Sequence, residues 1–164
     1  MQIRATTYAD FLIFWPSFQK IVSDRQSYAF DPDINIEQAY ELWCLSPLKS
    51  YVYEENGHIL GTYYIKANAM GPGSHVCNCG YMVAELARGK GIAALLCLHS
   101  QQVALDLGFK AMQFNSVVST NEVAVRLWKK LGYQILGTIP QAYLHSDQGY
   151  VDSYIMHKLL VPLN

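Results

Sequence analysis

The chain has 164 residues, 51% of them apolar and twelve of them tyrosine, with a formal net charge of −1. That length supports one domain with a substantial core, so a single domain over 1–164 is expected, and the absence of a basic block argues against nucleic-acid binding through phosphates. The one early apolar run, residues 11–15, follows Asp10 and stops at Pro16; it is too short for a signal peptide or a membrane span, which leaves a cytoplasmic address as the default.

Residues 2–5 read as an opening strand, and 8–22 as a helix kinked or restarted near Pro16. A loop over 27–35 carries Tyr28, Phe30 and Pro32, and leads to a second helix, 36–45, closed by Ser46-Pro47. The period then changes to two. Residues 50–54 and 58–67 are β-rich and joined by Glu55-Asn56-Gly57, a strong hairpin signal. After a turn over 68–73, residues 75–84 form the next strand, antiparallel to the one before it.

A helix over 91–107 follows, in which Ile92, Leu95, Leu96, His99 and Val103 recur at helical spacing. A strand over 111–117 comes next, and the strand–helix–strand order implies a parallel crossover. Ser119-Thr120-Asn121-Glu122 has the form of a capping box. It opens a helix that ends at Gly132, with Lys129 and Lys130 in its last turn and Val123, Leu127 and Leu131 as its buried stripe. Residues 133–138 and 151–159 close the sheet, with 140–149 looping between them. The expected fold class is α/β (α+β), a mixed sheet with helices on its faces.

The cysteines Cys44, Cys77, Cys79 and Cys97 read as free thiols. His75, Cys77 and Cys79 alternate on one strand face, but ligands on a single strand diverge and no fourth is near in sequence. Small buried thiols are the better reading, and no metal is expected.

The stretch with most chemical content is Arg88-Gly89-Lys90-Gly91-Ile92-Ala93, between a strand and a helix. The first amides of a helix lack intrahelical acceptors, and the aligned peptide dipoles make that end positive. Glycines let a backbone approach an anion closely, and Arg88 and Lys90 add two charges. This is the pattern of a pyrophosphate cradle; the competing reading is a tight turn alone. Gly89-x-Gly91-x-x-Ala94 also fits a loose dinucleotide fingerprint, but that motif wants an early strand and an acid roughly 20 residues on. Here the glycines lie past mid-chain, and residues 109–118 contain no acid.

With these residues in place, the chain resembles the GNAT superfamily of acetyl-CoA-dependent N-acetyltransferases. The resemblance rests on Arg88 to Ala93, read as Arg/Gln-x-x-Gly-x-Gly/Ala, and on Asn121 followed by Ala124, Leu127 and Leu131-Gly132-Tyr133. It implies a mostly antiparallel twisted sheet with a splayed, parallel central strand pair and about four helices. It also implies acetyl-CoA as co-substrate, its pyrophosphate held by the amides of Arg88, Gly89, Lys90, Gly91, Ile92 and Ala93. The backbone of Met82 and Val83 would pair with the pantetheine arm, and Asn121 would bond to it. Asn78, Asn115 and Asn121 have a mutual spacing that further resembles the fungal branch acetylating proline analogues such as azetidine-2-carboxylate. Asn78 and Asn115 are the candidate catalytic and substrate-binding amides, donating to an acceptor carboxylate or to the developing oxyanion, beside a Val83 N–H. The competing readings are a β-bulge at Asn78 and backbone satisfaction by Asn115.

One position departs from the family. Trp128 stands where many members carry a tyrosine thought to protonate the departing thiolate, and an indole N–H donates a hydrogen bond but not a proton. A thiol with a pKa of about 8.5 is a fair leaving group without help. The expected reaction is direct attack by a small amine, an amino or imino acid or a toxic analogue, under a lid formed by Tyr28 and Phe30. Asp152, Glu85, His75 and a water chain stand as alternatives for the base. A non-catalytic acetyl-CoA sensor is the rival function, and a homodimer is the assembly left open.

Overall fold

The computed structural model describes residues 1–162. Seven strands form one sheet: β1 (Gln2–Ala5), β2 (Lys49–Glu55), β3 (His58–Ala67), β4 (Val76–Val83), β5 (Ala111–Val118), β6 (Gln134–His145) and β7 (Gly149–Leu159), in spatial order β1-β2-β3-β4-β5-β7-β6. Every neighbouring pair is antiparallel except β4 and β5. The helices are α1 (Tyr8–Ser23), α2 (Ile36–Tyr40), α3 (Ile92–Asp106) and α4 (Glu122–Lys130). The mixed, mostly antiparallel sheet with four helices is therefore as expected.

Strand alternation sorts the side chains into two cores. Tyr51, Tyr63 and Tyr81 lie abreast on β2, β3 and β4 and pack with Leu96 of α3 and Trp128 of α4. Val52, Thr62 and Met82 lie abreast on the other face, against Phe11, Phe14 and Phe18 of α1 and Trp43.

Several local expectations change. α1 runs straight through Pro16, which is exposed, as is Leu12, whose carbonyl the proline deprives of a partner. That carbonyl lies on the solvent side of the helix, where the lost bond is cheap, while Phe11, Phe14 and Phe18 hold the inner face. The second helix keeps α geometry only to Tyr40; Glu41–Leu45 is a π turn, whose widening accompanies a fully buried Trp43 that donates from Nε1 to Thr62 Oγ1 at 3.0 Å.

On α3, Leu95 is exposed while Cys97, Ser100 and Ala104 are buried. On α4, Val123 is 71% exposed and the buried stripe is Val125 and Trp128. The cap of α4 is Asn121, not Ser119: Asn121 Oδ1 accepts from Ala124 N at 3.2 Å, and Glu122 pairs with Arg126 instead of closing a box. The expected loop after residue 138 is strand: β6 passes Pro140 by a bulge, with Gln141 at φ 51°, and turns only after His145. β6 is an edge strand, where proline costs no ladder bond.

Candidate active site

The two central strands form a fork. β4 and β5 are in register only from Val76–Ala111 to Asn78–Gln113, yet β4 continues to Val83 and β5 to Val118. On β4, the bonds from Asn68 N to Val76 O and from Ala84 N to Leu60 O turn the even-numbered residues towards β3. The peptide groups of Cys79, Tyr81 and Val83 therefore face the gap. Met82 is turned the other way, with its backbone on β3 and its side chain in the aromatic core.

Beyond the fork lies the glycine turn. Gly89 and Gly91 adopt φ 78° and 79°, and a Cβ built on either meets nothing within 4 Å, so the ground above both is open. Gly91 caps α3 without any side-chain hydrogen bond, and the first helical bond runs from Leu95 N to Gly91 O. The amides of Ile92, Ala93 and Ala94 are thus left without helical acceptors. Arg88 and Lys90 are exposed and enter no ion pair among the described residues. Open space, free amides and two cations suit a diphosphate.

At the base of the fork, Asn78 is buried and spans it: Nδ2 donates to Gln113 O at 3.0 Å, and Oδ1 accepts from Tyr64 OH at 3.1 Å. One amide hydrogen of Asn78 remains uncommitted. Gly80 makes room for this arrangement, because a Cβ there would lie 2.6 Å from Tyr64 Cε1. Burial pushes the Tyr64 phenol up to about 12, which keeps it a donor. Asn115 is exposed; Nδ2 donates to Asn68 Oδ1 at 2.7 Å and Oδ1 accepts from Gln113 Nε2 at 2.9 Å. Asn78 and Asn115 are thus linked through Gln113, which the sequence reading missed, as it missed Tyr64; neither belongs to a motif.

Asn121 spends its side-chain oxygen on the α4 cap, which leaves its amide hydrogens for a ligand. Trp128 is buried with its ring centroid 5.1 Å from those of Tyr81 on β4 and Phe114 on β5, so one indole touches both diverging strands. Its Nε1 has no hydrogen-bond partner among the described residues. Burial holds the Cys79 and Cys97 thiols well up in pKa, in the protonated and unreactive form.

On the opposite face of the sheet, Tyr28 reaches into the fork: its phenol donates to Tyr81 O at 2.7 Å, and burial raises its pKa so that it stays protonated. Tyr28 and Phe30 stack at 5.4 Å and form one wall of a cleft of about 210 Å³. The other wall is Ala142, Tyr143 and Leu144 of β6, the stretch expected to be loop. A larger cleft of about 290 Å³ lies along the outer side of α4, lined by Glu122, Arg126, Lys129 and Tyr154, away from the glycine turn.

None of the three candidate bases lines the Tyr28–Phe30 cleft. His75 precedes β4 at the closed end of the fork, with Nδ1 3.1 Å from Pro72 O. Asp152 accepts from Gln141 N at 2.9 Å, and Glu85 is exposed on the turn after β4. No group of three or more His, Cys, Asp or Glu side chains able to hold a metal, and no helix long and apolar enough to cross a membrane, occurs among the described residues.

Comparison with known proteins bears on this geometry. The family model described as "Acetyltransferase (GNAT) family" matches residues 11–133. The chain is 42% identical over 98 residues to N-acetyltransferase aca1 of Schizosaccharomyces pombe, covering 59% of this chain and 47% of that one. It therefore spans about half the length of the curated relative that it matches. The structure of a GCN5-related N-acetyltransferase from Kribbella flavida superposes with a TM-score of 0.91 at 41% identity, over 96% of both chains. A phosphinothricin acetyltransferase from Sinorhizobium meliloti, solved in complex with AcCoA, shares the fold at a TM-score of 0.82 and 19% identity, over 96% of this chain and 87% of that one.

Proposed function

Since the chain belongs to the GNAT acetyltransferase family, we propose that it transfers the acetyl group of acetyl-CoA to the amine of a small molecule, an amino or imino acid or a toxic analogue. The observation that carries this reading is the fork itself. Two parallel strands part after Asn78 and Gln113, and the opening leads straight to an uncapped helix tip beneath open glycines.

Acetyl-CoA supplies an activated acyl group and a thiolate leaving group; the chain supplies placement. The amides at residues 89–93 bind the diphosphate, with the Arg88 and Lys90 side chains adding charge; the Arg88 amide, expected among them, is spent on Glu85 O at 3.1 Å. The Val83 peptide takes a place in the fork that a neighbouring strand would otherwise fill, and Asn121 adds an amide donor. The acceptor enters from the Tyr28–Phe30 side, so that the amine and the thioester carbonyl meet between β4 and β5. The Val83 N–H is the donor for charge developing on the carbonyl oxygen, while Asn78, deeper in the fork, and Asn115 border the acceptor. Trp128 lines the fork and excludes water, and its free N–H donates to the sulfur side of the site without protonating it. With the Cys79 and Cys97 thiols held in the protonated form, attack is direct and no acetyl-enzyme forms on them.

Steady-state release of coenzyme A thiol with a panel of amines tests the reading. Turnover that depends on the added amine supports it. Tight acetyl-CoA binding with no turnover across the panel would instead favour a sensor, for which the lack of a phenol at position 128 is the motivating feature.

A further inference from the structure

The acceptor-side cleft carries one full charge that no other part of the molecule uses. Arg25 lines it, exposed and outside every ion pair among the described residues. The acids nearest to it on this turn and the facing hairpin are engaged elsewhere: Asp24 with Lys20 Nζ at 2.8 Å, and Asp147 with Gln26 Nε2 at 3.2 Å.

Its backbone is nonetheless firmly placed. Ser146 N donates to Arg25 O at 3.1 Å, and Tyr143 OH donates to Tyr28 O at 3.1 Å. With the Gln26–Asp147 bond, these tie the exit of α1 to the β6–β7 hairpin. Arg25 is held at φ 53°, and Gln141, beside the opposite wall, at φ 51°. Among the described residues, two of the three non-glycine residues in this costly region thus flank one cleft, a concentration expected where geometry serves a ligand.

A guanidinium carried on this backbone beside aromatic and apolar walls suits a small organic anion with an apolar body, because its planar fork matches a carboxylate and its charge has no ion-pair partner among the described residues. Tyr28 connects this cleft to the fork, lining the one and ending at Tyr81 O in the other. Asn78 and Asn115 have committed much of their hydrogen bonding to Gln113, Tyr64 and Asn68. We propose that Arg25 binds the carboxylate of the acceptor and selects amino or imino acids over amines that lack one. The inference rests on the acetyl-transfer reading above and adds the residue that sets acceptor class.

The test is thiol-release kinetics for wild type, Arg25→Gln, Arg25→Lys and Arg25→Gly, using proline and alanine against their carboxamides. Comparing each variant with wild type cancels the lower amine pKa of the amides. Arg25→Gln should raise KM for the acids by about tenfold or more, with kcat and the amide KM within about twofold. Arg25→Lys should recover part of the loss. Arg25→Gly, at ease at positive φ, should reproduce the selective loss without lowering Tm, so the test survives if Arg25→Gln folds poorly. Equal shifts for acids and amides, no shift, or a wild-type chain that turns over only the amides would overturn the assignment. Absence of turnover with every amine would sink acetyl transfer first, and this inference with it.

Discussion

α1 and α3 begin with the same problem, a ring of amides that the helix itself cannot satisfy, and answer it in opposite ways. At α1, Thr7 Oγ1 accepts from Asp10 N at 3.2 Å while the Asp10 carboxylate accepts from Thr7 N at 2.8 Å. Arg4 then grips the same carboxylate at 2.6 and 2.7 Å. At α3 the cap is a glycine with no side chain to offer, the flanking charges are basic, and nothing stands over the turn. α2 and α4 are closed by Asn35 and Asn121, so among the described residues α3 is the one helix of the four whose tip no side chain closes. On the proposed reading, an unfilled cap on a chain that fills its others is a place where stability has yielded to binding.

The comparison can be broken from either side. The largest effect is expected at Gly91. Gly91→Val puts branched carbons into the space above the turn and should weaken acetyl-CoA binding by about a hundredfold, read by calorimetry. The strain of a left-handed valine should cost about 1–2 kcal/mol, so the variant still folds. Retained affinity would mean that the cradle is only a turn.

Asp10→Ala removes the carboxylate half of the capping box and the partner of Arg4, and should lower stability by about 2 kcal/mol in urea titration, leaving acetyl-CoA affinity unchanged. This site also carries a pH signature. The Arg4 guanidinium and the Thr7 bonds hold the Asp10 carboxyl well below the usual carboxylate range. A depressed folded-state pKa adds stability that is complete above the unfolded value of about 3.9 and drains away as pH falls below it. Wild type should therefore lose stability from about pH 4 downwards, and Asp10→Ala should show a shallower acid limb. The smallest change is expected at Asn121, which caps α4 and is proposed to bond to the pantetheine arm. Asn121→Ala should cost about 1 kcal/mol of stability, together with a several-fold loss of affinity; loss of stability alone would make it a cap only.

How much of this was legible beforehand also divides by region. The hairpin at Asn56-Gly57 and the strand–glycine–helix order are local signals, and they stand in the structure where the residues put them. The buried face of α3 was not legible, because leucines surround it: Leu95, Leu98 and Leu105 are exposed while Ser100 is fully buried against the Tyr81 phenol at 2.7 Å. The extent of β6 was hidden by Pro140, which reads as a breaker unless the strand is known to be an edge. The acceptor-side cleft joins residues 25–32 to 142–144, a long-range pairing that no spacing announces.

Crystals of the chain with coenzyme A would test the central claim most directly. The account predicts the diphosphate on the amides of residues 89–93, beside the Arg88 side chain, and the pantetheine arm in the fork between β4 and β5. A ligand seated elsewhere, as in the cleft along Arg126 and Tyr154, would contradict it.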